Sequence, residues 1–163
     1  MEDRQKIFER VKKKAQEDYK KIDNVFNPFL QCNINFNAKG LDHIKFKEWN
    51  KTRPTSDQYL RLKFLKLAPK ILESTTTIQE YNETKSFERI KSNSKWDFLA
   101  KPVKYYGFIA ICEDYKTKVK IVVKEIEGGQ PFFWSVIPFW KTKKDSLFQE
   151  TKKVFHEGDL ERD

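Results

Sequence analysis

Three apolar and aromatic runs, separated by two turn signals, lie between Pro102 and Trp140 and form the most regular pattern in the chain. The first turn falls at residues 114–117, Asp-Tyr-Lys-Thr, and the second at residues 127–130, Glu-Gly-Gly-Gln. Glycine supplies the positive φ that a tight hairpin turn requires. The pattern therefore predicts an antiparallel meander of three strands.

The middle run alternates between apolar and cationic residues, as expected of a strand with one buried face. One side carries Val119, Ile121 and Val123, and the other carries Lys118, Lys120 and Lys124. We predict that helices cover the apolar side. The cationic side also receives Tyr and Trp from the neighbouring runs, and it is where we expect function.

The first half of the chain favours helices. Residues 2–22 repeat apolar positions at helical spacing among charged ones. A short strand at residues 31–37 precedes a turn and the start of a short helix at residues 40–44. A further helix is predicted over residues 55–67, and Pro69 should either kink it or begin another helix. The candidates for its N-cap are Thr55, Ser56 and Asp57.

The remaining segments are less regular. Residues 75–81 are rich in β-formers, whereas residues 82–101 favour either an irregular strand or an insertion against the sheet. Residues 146–155 predict a short amphipathic helix, and residues 158–163 predict a disordered end. Together the elements predict an α+β fold, in which N-terminal helices pack on one face of a twisted antiparallel sheet of about four strands.

Composition adds a size limit and a class of partner. The 163 residues suit one domain of roughly 100–150 residues with terminal extensions. Only 38% of the residues are hydrophobic, but 15% are aromatic, so large rings can still build a core. The net charge of +9 indicates a polyanionic partner such as RNA, DNA or an anionic membrane surface. The alternative is that the charge serves solubility alone.

Several classes of protein are excluded by motifs that the sequence lacks. Neither an apolar run of ~18 residues nor a signal peptide is present, which predicts a soluble, cytoplasmic chain. There is no P-loop, no Rossmann glycine pattern, no Gly-x-Ser-x-Gly elbow and no metal-type spacing of Cys, His or carboxylates. We therefore expect neither a cofactor nor a metal. The two cysteines, Cys32 and Cys112, are predicted to be unpaired, with Cys112 buried in a strand.

Three local patterns occur in an order similar to that of a known group of proteins. They are Ile34-Asn35-Phe36 with Lys39-Gly40-Leu41-Asp42-His43-Ile44, then Leu62-Lys63-Phe64-Leu65 with Pro69-Lys70-Ile71-Leu72, and finally Tyr105-Tyr106, Val122-Val123-Lys124 and Phe133-Trp134-Ser135. Over about residues 30–144 the chain resembles the phage and plasmid branch of the barnase/EndoU/colicin/RelE-like (BECR) ribonucleases. The resemblance implies that RNA binds on the open face of the sheet and is cleaved without metal, leaving a 2′,3′-cyclic phosphate.

The resemblance also implies a division of the chain and a set of partners. Residues 1–28 form an N-terminal helical extension, residues 29–144 an α+β BECR-like nuclease domain, and residues 145–163 a C-terminal helix and tail. The implied partners are RNA and an antidote or immunity protein, because small toxins of this kind commonly travel with one. No membrane contact is implied.

Metal-free RNA cleavage requires a base for the ribose 2′-OH, an acid for the 5′-oxygen and cations for the phosphorane. His43 is the leading base or acid, since its ordinary pKa of about 6.5 suits proton transfer at neutral pH. In the resembling family a hydroxyl residue at the place of Ser135 contacts the phosphate, and Tyr106 or Lys141 is the predicted partner acid. The alternatives are a structural histidine and a serine that only bonds a neighbouring backbone group.

A second set of residues is predicted to bind RNA. Arg53 and Arg61 could clamp a phosphate, the lysines could follow the backbone, and aromatic rings could stack on bases. The set comprises Arg53, Arg61, Lys63, Lys66, Lys118, Lys120, Lys124, Trp134 and Lys143. Core packing for Trp134 and a solvated or edge-guarding role for the lysines are the alternatives.

The sequence thus predicts a toxin-like, metal-independent endoribonuclease. The alternative is a non-catalytic basic phage or plasmid protein that binds nucleic acid or an acidic protein partner. A third interpretation is an interaction protein whose lysines are only solvated. Turnover and salt response distinguish them, because a pure binder shows salt-dependent affinity without product.

Overall fold

A computed structural model describes residues 3–48, 51–114, 117–138 and 160–163. The helices are α1 Arg4–Lys20, α2 Ala38–Lys45, α3 Thr55–Phe64 and α4 Ala68–Ser74, with a 3-10 turn at Leu65–Leu67 between the last two. The strands are β1 Val25–Asn27, β2 Cys32–Ile34, β3 Phe46–Glu48, β4 Lys51–Thr52, β5 Glu80–Ser92, β6 Lys95–Cys112, β7 Thr117–Ile126 and β8 Phe132–Pro138. None of the helices in these residues is long and apolar enough to cross a bilayer.

The main sheet has the order β5-β6-β7-β8 and is antiparallel throughout. Two small antiparallel pairs, β1 with β2 and β3 with β4, lie beside it. Because the helices occupy the N-terminal half and the sheet follows, the predicted α+β architecture is confirmed. The three-run meander corresponds to β6, β7 and β8, and Gly128 has a φ of 81° in the second turn, as predicted.

One face of the sheet is buried beneath the helices. Val119, Ile121 and Val123 of β7 belong to the same core cluster as Leu62 and Leu72 from the helices, which confirms the predicted apolar side. The helix α1 begins at the side chain of Asp3, which accepts a hydrogen bond from the Gln5 N–H at 3.2 Å. It buries Phe8 and Tyr19 in the same cluster.

The helix α2 packs against β8 through Gly40. A Cβ at this position would overlap the main-chain oxygen of Phe133, so only glycine permits the approach. Asn37 caps the helix by accepting a hydrogen bond from the Gly40 N–H at 3.3 Å. This contact fixes the height of α2 over the end of the sheet, and thereby the position of His43.

Residues 82–101 form two regular strands joined by a two-residue turn, and neither an irregular strand nor an insertion against the sheet. They lie in β5 and β6, which pair without a break from Ser92 and Lys95 at one end to Glu80 and Gly107 at the other. The turn residues Asn93 and Ser94 have φ values of 49° and 66°, as in the two-residue hairpin turns that match strand twist.

Three local predictions are wrong. The N-cap of α3 is Pro54 without a side-chain hydrogen bond, because Asp57 bonds two arginines instead. Cys112 is half-buried rather than buried. Residues 160–163 are not a loose end, since Leu160 and Asp163 are only 3% and 1% exposed. The predicted helix at 146–155 lies outside the described residues.

Candidate active site

A β-bulge in β8 brings two predicted site residues to one side of the sheet. Val122 pairs with Ser135, but Val123 pairs with Phe133, so Trp134 is the extra residue. Phe133 points into the helix-side core, whereas Trp134 packs with Val122 on the opposite face. Ser135 shares that opposite face because it lies across from Val122. We call this opposite side of the sheet the site face.

Two buried arginines reach the site face from α3 and the loop before it. Arg61 Nε donates to Asp57 Oδ1 at 2.8 Å, and Arg53 Nη1 donates to Asp57 Oδ2 at 3.4 Å. The three residues are four positions apart, so Asp57 sits between the two guanidinium groups. The backbone of Arg53 is held by Gln58, whose Nε2 donates to the Arg53 carbonyl at 2.7 Å.

His43 lies between Arg53 and Trp134. Arg53 Nε donates to the His43 carbonyl at 2.9 Å, and Arg53 Nη2 lies 3.0 Å from His43 Nε2. Because a guanidinium can only donate, Nε2 must accept, and the imidazole is the neutral tautomer protonated on Nδ1. The ring stacks on the Trp134 indole with centroids 4.1 Å apart and planes 20° from parallel.

The surroundings of His43 hold it neutral. Burial lowers its pKa well below the ordinary 6.5, and the nearby charges of Arg53, Arg61 and Lys124 lower it further. A main-chain hydrogen bond to Asp163 raises the pKa in opposition but does not restore it. At neutral pH the imidazole can therefore act as a base but not as an acid.

Several donors converge on a single oxygen, the main-chain oxygen of Asp163. Ser135 Oγ donates to it at 2.7 Å, Arg61 Nη1 donates to it in a very short hydrogen bond, and Arg53 Nη2 lies 3.5 Å away. Arg61 Nη1 also donates to Ser135 Oγ at 2.6 Å. The cluster of Arg53, Arg61 and Ser135, which we call the anion site, is thus shaped to surround one oxygen that carries negative charge.

Two lysines of β7 extend the anion site along the sheet, but they are not on an open surface as predicted. The ammonium of Lys120 is buried and lies 2.6 Å from Asp163 Oδ2 and 3.0 Å from Glu80 Oε2. Lys124 is also buried, 2.8 Å from Glu88 Oε1 and 4.3 Å from the Trp134 ring centroid. Only Lys118 of the three has an exposed side chain.

Glu88 shows how strongly Lys124 is engaged. Burial alone would raise the pKa of Glu88, but the hydrogen bond and the positive charge of Lys124 outweigh it, so the pKa falls below the ordinary 4.5. The carboxylate is therefore ionised at neutral pH, and the two groups form an ion pair across β5 and β7.

A cleft of about 810 Å³ opens beside the anion site. His43, Trp134 and Phe87 give its wall three rings, and both cations and carboxylates line it: Lys39, Lys47, Lys124, Arg162, Asp42, Glu88 and Glu161. Clefts of roughly 300–1,000 Å³ bind small ligands in other proteins. The cleft is thus large enough for a nucleotide.

Tyr106 is not in this site, contrary to the predicted face. It pairs with Val123 in the register of β6 and β7 and belongs to the helix-side core. Its hydroxyl donates to Glu125 Oε2 at 2.8 Å, and burial together with that hydrogen bond raises its pKa. A phenol that is held protonated behind the sheet cannot transfer a proton at the anion site.

The other predicted residues divide into those brought together and those kept apart. Lys63 and Lys66 line a groove against α1 on the helical side of the molecule. Lys141 and Lys143 lie outside the described residues. The predicted residues that gather on the site face are His43, Arg53, Arg61, Lys120, Lys124, Trp134 and Ser135.

Four acidic residues of the site were missed by sequence reasoning: Asp57, Glu80, Glu88 and Asp163. The spacing of Asp57, four residues after Arg53 and four before Arg61, was a usable signal. Glu80, Glu88 and Asp163 have no such signal in the sequence, because their cationic partners are distant in the chain. Among the described residues, no three His, Cys, Asp or Glu side chains gather as metal ligands would.

Comparison with known proteins identifies no relative of this chain. No protein-family model matches the chain, and neither a curated protein sequence nor a solved structure is significantly similar to it.

Proposed function

We propose that the protein is a metal-independent endoribonuclease that cleaves RNA by attack of the ribose 2′-OH, leaving a 2′,3′-cyclic phosphate and a 5′-hydroxyl. The observation that carries the proposal is the convergence of Arg53, Arg61 and Ser135 on one oxygen, the Asp163 main-chain oxygen. A phosphate oxygen at the same point would receive the same hydrogen bonds. Guanidinium groups so placed stabilise the additional charge of a phosphorane.

Neutral His43 is the proposed base. An entering phosphate competes for Arg53 Nη2, which now donates to His43 Nε2. The freed Nε2 lone pair can then accept the 2′-hydroxyl proton as the bond between O2′ and phosphorus forms. The bond from phosphorus to O5′ breaks in the same reaction, and O5′ takes a proton.

Lys120 is the proposed donor of that proton. Its ammonium lies in the site, 2.6 Å from an Asp163 carboxylate oxygen next to the anion site. Lys120 and the anion site both bind Asp163, so a phosphate in the place of Asp163 would lie beside the ammonium.

The test is incubation of the purified protein with mixed tRNA and mRNA in EDTA, followed by analysis of product ends. We expect 2′,3′-cyclic phosphates, a loss of rate of at least about 100-fold in His43→Ala, and a loss of roughly 10-fold in Ser135→Ala. Tyr106→Phe is the matched control, because its hydroxyl lies behind the sheet. Wild-type rates in both site variants would contradict the proposal, as would an absence of cleavage both by the wild type and by Leu160→Asp, a change in the segment that covers the anion site.

A second candidate function is non-catalytic binding of nucleic acid or of an acidic protein such as an antidote. It is favoured by the acidic segment Leu160–Asp163, which already fills the anion site. In that case RNA would be shifted on a gel in a salt-dependent way and recovered intact. The unpaired cysteines Cys32 and Cys112 agree with a cytoplasmic location for either function.

A further inference from the structure

We propose that Leu160–Asp163, which we call the tail segment, is an intramolecular inhibitor that occupies the place of the RNA phosphate and must leave before RNA can bind. The proposal rests on the proposed function for what it inhibits, but the occupation of an anion site stands without it. The segment makes polar contacts with both arginines, the serine, one lysine and the tryptophan of the site face.

The contacts are those of an anionic ligand. Asp163 places its side-chain carboxylate on Lys120 and its main-chain oxygen on Arg61 and Ser135. The main-chain oxygen of Arg162 accepts from Arg53 Nη2 at 3.1 Å, and that of Glu161 accepts from Trp134 Nε1 at 3.1 Å. The tail segment therefore presents a series of acceptor oxygens, as a phosphodiester backbone does.

The apolar end of the tail segment anchors it. Leu160 packs into a small cluster with Val103, Tyr105 and Val122 on the site face. Leucine has no counterpart in a phosphate, so this contact belongs to the segment alone. Changing Leu160 should therefore release the segment and leave the anion site intact.

Charge balance points the same way. Four buried cations, Arg53, Arg61, Lys120 and Lys124, face three carboxylates that belong to the body of the fold, Asp57, Glu80 and Glu88. Asp163 supplies the fourth negative charge. With the tail segment removed, the site face carries a net positive charge, which favours an anion such as phosphate.

The test is isothermal titration with adenosine 3′-phosphate, which needs no turnover. We expect Leu160→Asp and Asp163→Ala each to bind it at least about 10-fold more tightly than the wild type, because the open state then becomes the main state. Asp23→Ala removes the same charge from an exposed loop and should bind as the wild type does. RNA cleavage should rise in the two tail variants.

Equal or weaker binding in both tail variants would overturn the proposal. Tighter binding without any RNA cleavage would support the inhibitor and contradict the ribonuclease. A peptide Leu-Glu-Arg-Asp added to the Leu160→Asp protein provides a second measurement. It should displace adenosine 3′-phosphate, and a failure to compete would count against the segment as a ligand of the anion site.

A separate observation concerns the outer part of the β5–β6 hairpin, residues 85–102, which we call the arm. We infer that the arm is a docking surface for single-stranded RNA. Its register pairs Phe87 with Ala100, Arg89 with Phe98, and Lys91 with Trp96, so these residues share one face. Phe87, Phe98 and Trp96 are 77%, 68% and 55% exposed.

Aromatic rings interleaved with cations are the usual surface for unpaired bases and their phosphates. The Arg89 guanidinium lies 4.7 Å from the Trp96 ring centroid, so the pair presents a ring and a charge together. Phe87 also lines the cleft beside His43, so the arm reaches the cleft at this residue. The register gives the ring-bearing face of the arm the opposite parity to Glu88, which bonds Lys124 on the site face. The arm has the cations Lys85, Arg89, Lys91, Lys95 and Lys101 against the acids Glu88 and Asp97.

The second proposal is tested by fluorescence anisotropy of a labelled single-stranded RNA of about 15 nucleotides. The double variant Trp96→Ala/Phe98→Ala should lose at least about fivefold in affinity, because one stacked base per ring is lost. Its affinity for adenosine 3′-phosphate should not change. Phe26→Ala removes a ring that is 50% exposed in β1 and should bind RNA as the wild type does.

Unchanged RNA affinity in the arm variant would overturn the docking surface while leaving the ribonuclease intact, if the wild type still cleaves RNA. A loss of affinity shared by the Phe26→Ala control would also overturn it, because the effect would then not be specific to the arm.

Discussion

The imidazole of His43 is enclosed by two arginines, a lysine and an indole ring, and this environment determines its charge. An unfolded chain would protonate the same histidine near its ordinary pKa of 6.5. The folded protein resists protonation, so the histidine couples stability to pH.

We expect stability to fall as the pH drops below 6.5, because the unfolded state then binds a proton that the folded state does not. The free energy of unfolding should decrease by up to about 1.4 kcal/mol per pH unit until the lowered pKa of folded His43 is reached. Urea unfolding between neutral and mildly acidic pH measures it. In His43→Gln this part of the slope should disappear, and an unchanged slope would contradict a neutral His43.

At the scale of secondary-structure elements, the position of α2 depends on a close contact between Gly40 and the main chain of β8. Gly40 has no side chain, and the Phe133 oxygen occupies the space where a Cβ would be. The helix can therefore lie close enough to β8 for His43 to stack on Trp134.

Gly40→Ala should push α2 away from β8 and lower the free energy of unfolding by about 1–3 kcal/mol, even though alanine favours helix. The measurement is the urea midpoint, with activity on RNA as a second readout. Gly129→Ala is the comparison variant: its Cβ would lie 3.3 Å from the Ile126 main-chain oxygen, a tight contact but no overlap, so it should lower stability less than Gly40→Ala. A stability gain in Gly40→Ala would show that α2 can shift without strain.

How far sequence predicts an element depends on whether the element is buried on one side. The β7 run alternates because helices cover Val119, Ile121 and Val123, and it was predicted correctly. The side chains at residues 84–89 alternate between half-buried and exposed, but those at residues 93–100 are all exposed, so the outer part of the arm lacks the apolar alternation that marks a strand with one buried face. The predicted N-cap of α3 was wrong at Asp57 because its carboxylate forms ion pairs with Arg53 and Arg61 and caps no backbone N–H.

For the whole molecule, the site is assembled from segments that are far apart in the chain. Lys124 forms an ion pair with Glu88, and Lys120 forms ion pairs with Glu80 and Asp163. These pairs are too distant in the chain for any local spacing to predict them. Of the predicted cations, the structure brings Arg53, Arg61, Lys120 and Lys124 together on the site face, but the sequence did not predict that acids of the same chain neutralise them. Their burial follows from tertiary packing, which a single sequence without an alignment does not reveal.

If RNA is the partner, as proposed, the net charge of +9 should make its affinity depend on salt. Wild-type affinity for single-stranded RNA should fall steadily as salt increases, and Arg89→Ala should reduce the slope of log affinity against log salt by about 0.7. Anisotropy titrations at several salt concentrations give both slopes. Asp23→Ala serves as the charge control, and a slope of zero in the wild type would argue for a partner other than RNA.

The bulge at Trp134 has a consequence for evolution of the chain. In a regular strand neighbouring side chains alternate, so an indole and a hydroxyl one position apart would lie on opposite faces. Here the two share a face because β8 carries one residue more than its partner. A deletion of that single residue would preserve Ser135 but lose the ring under His43, whereas an insertion elsewhere in β8 would invert the face of every residue beyond it. An insertion in β8 is thus tolerated only together with a deletion that restores the register. Related chains should therefore keep Phe133, Trp134 and Ser135 as three consecutive residues.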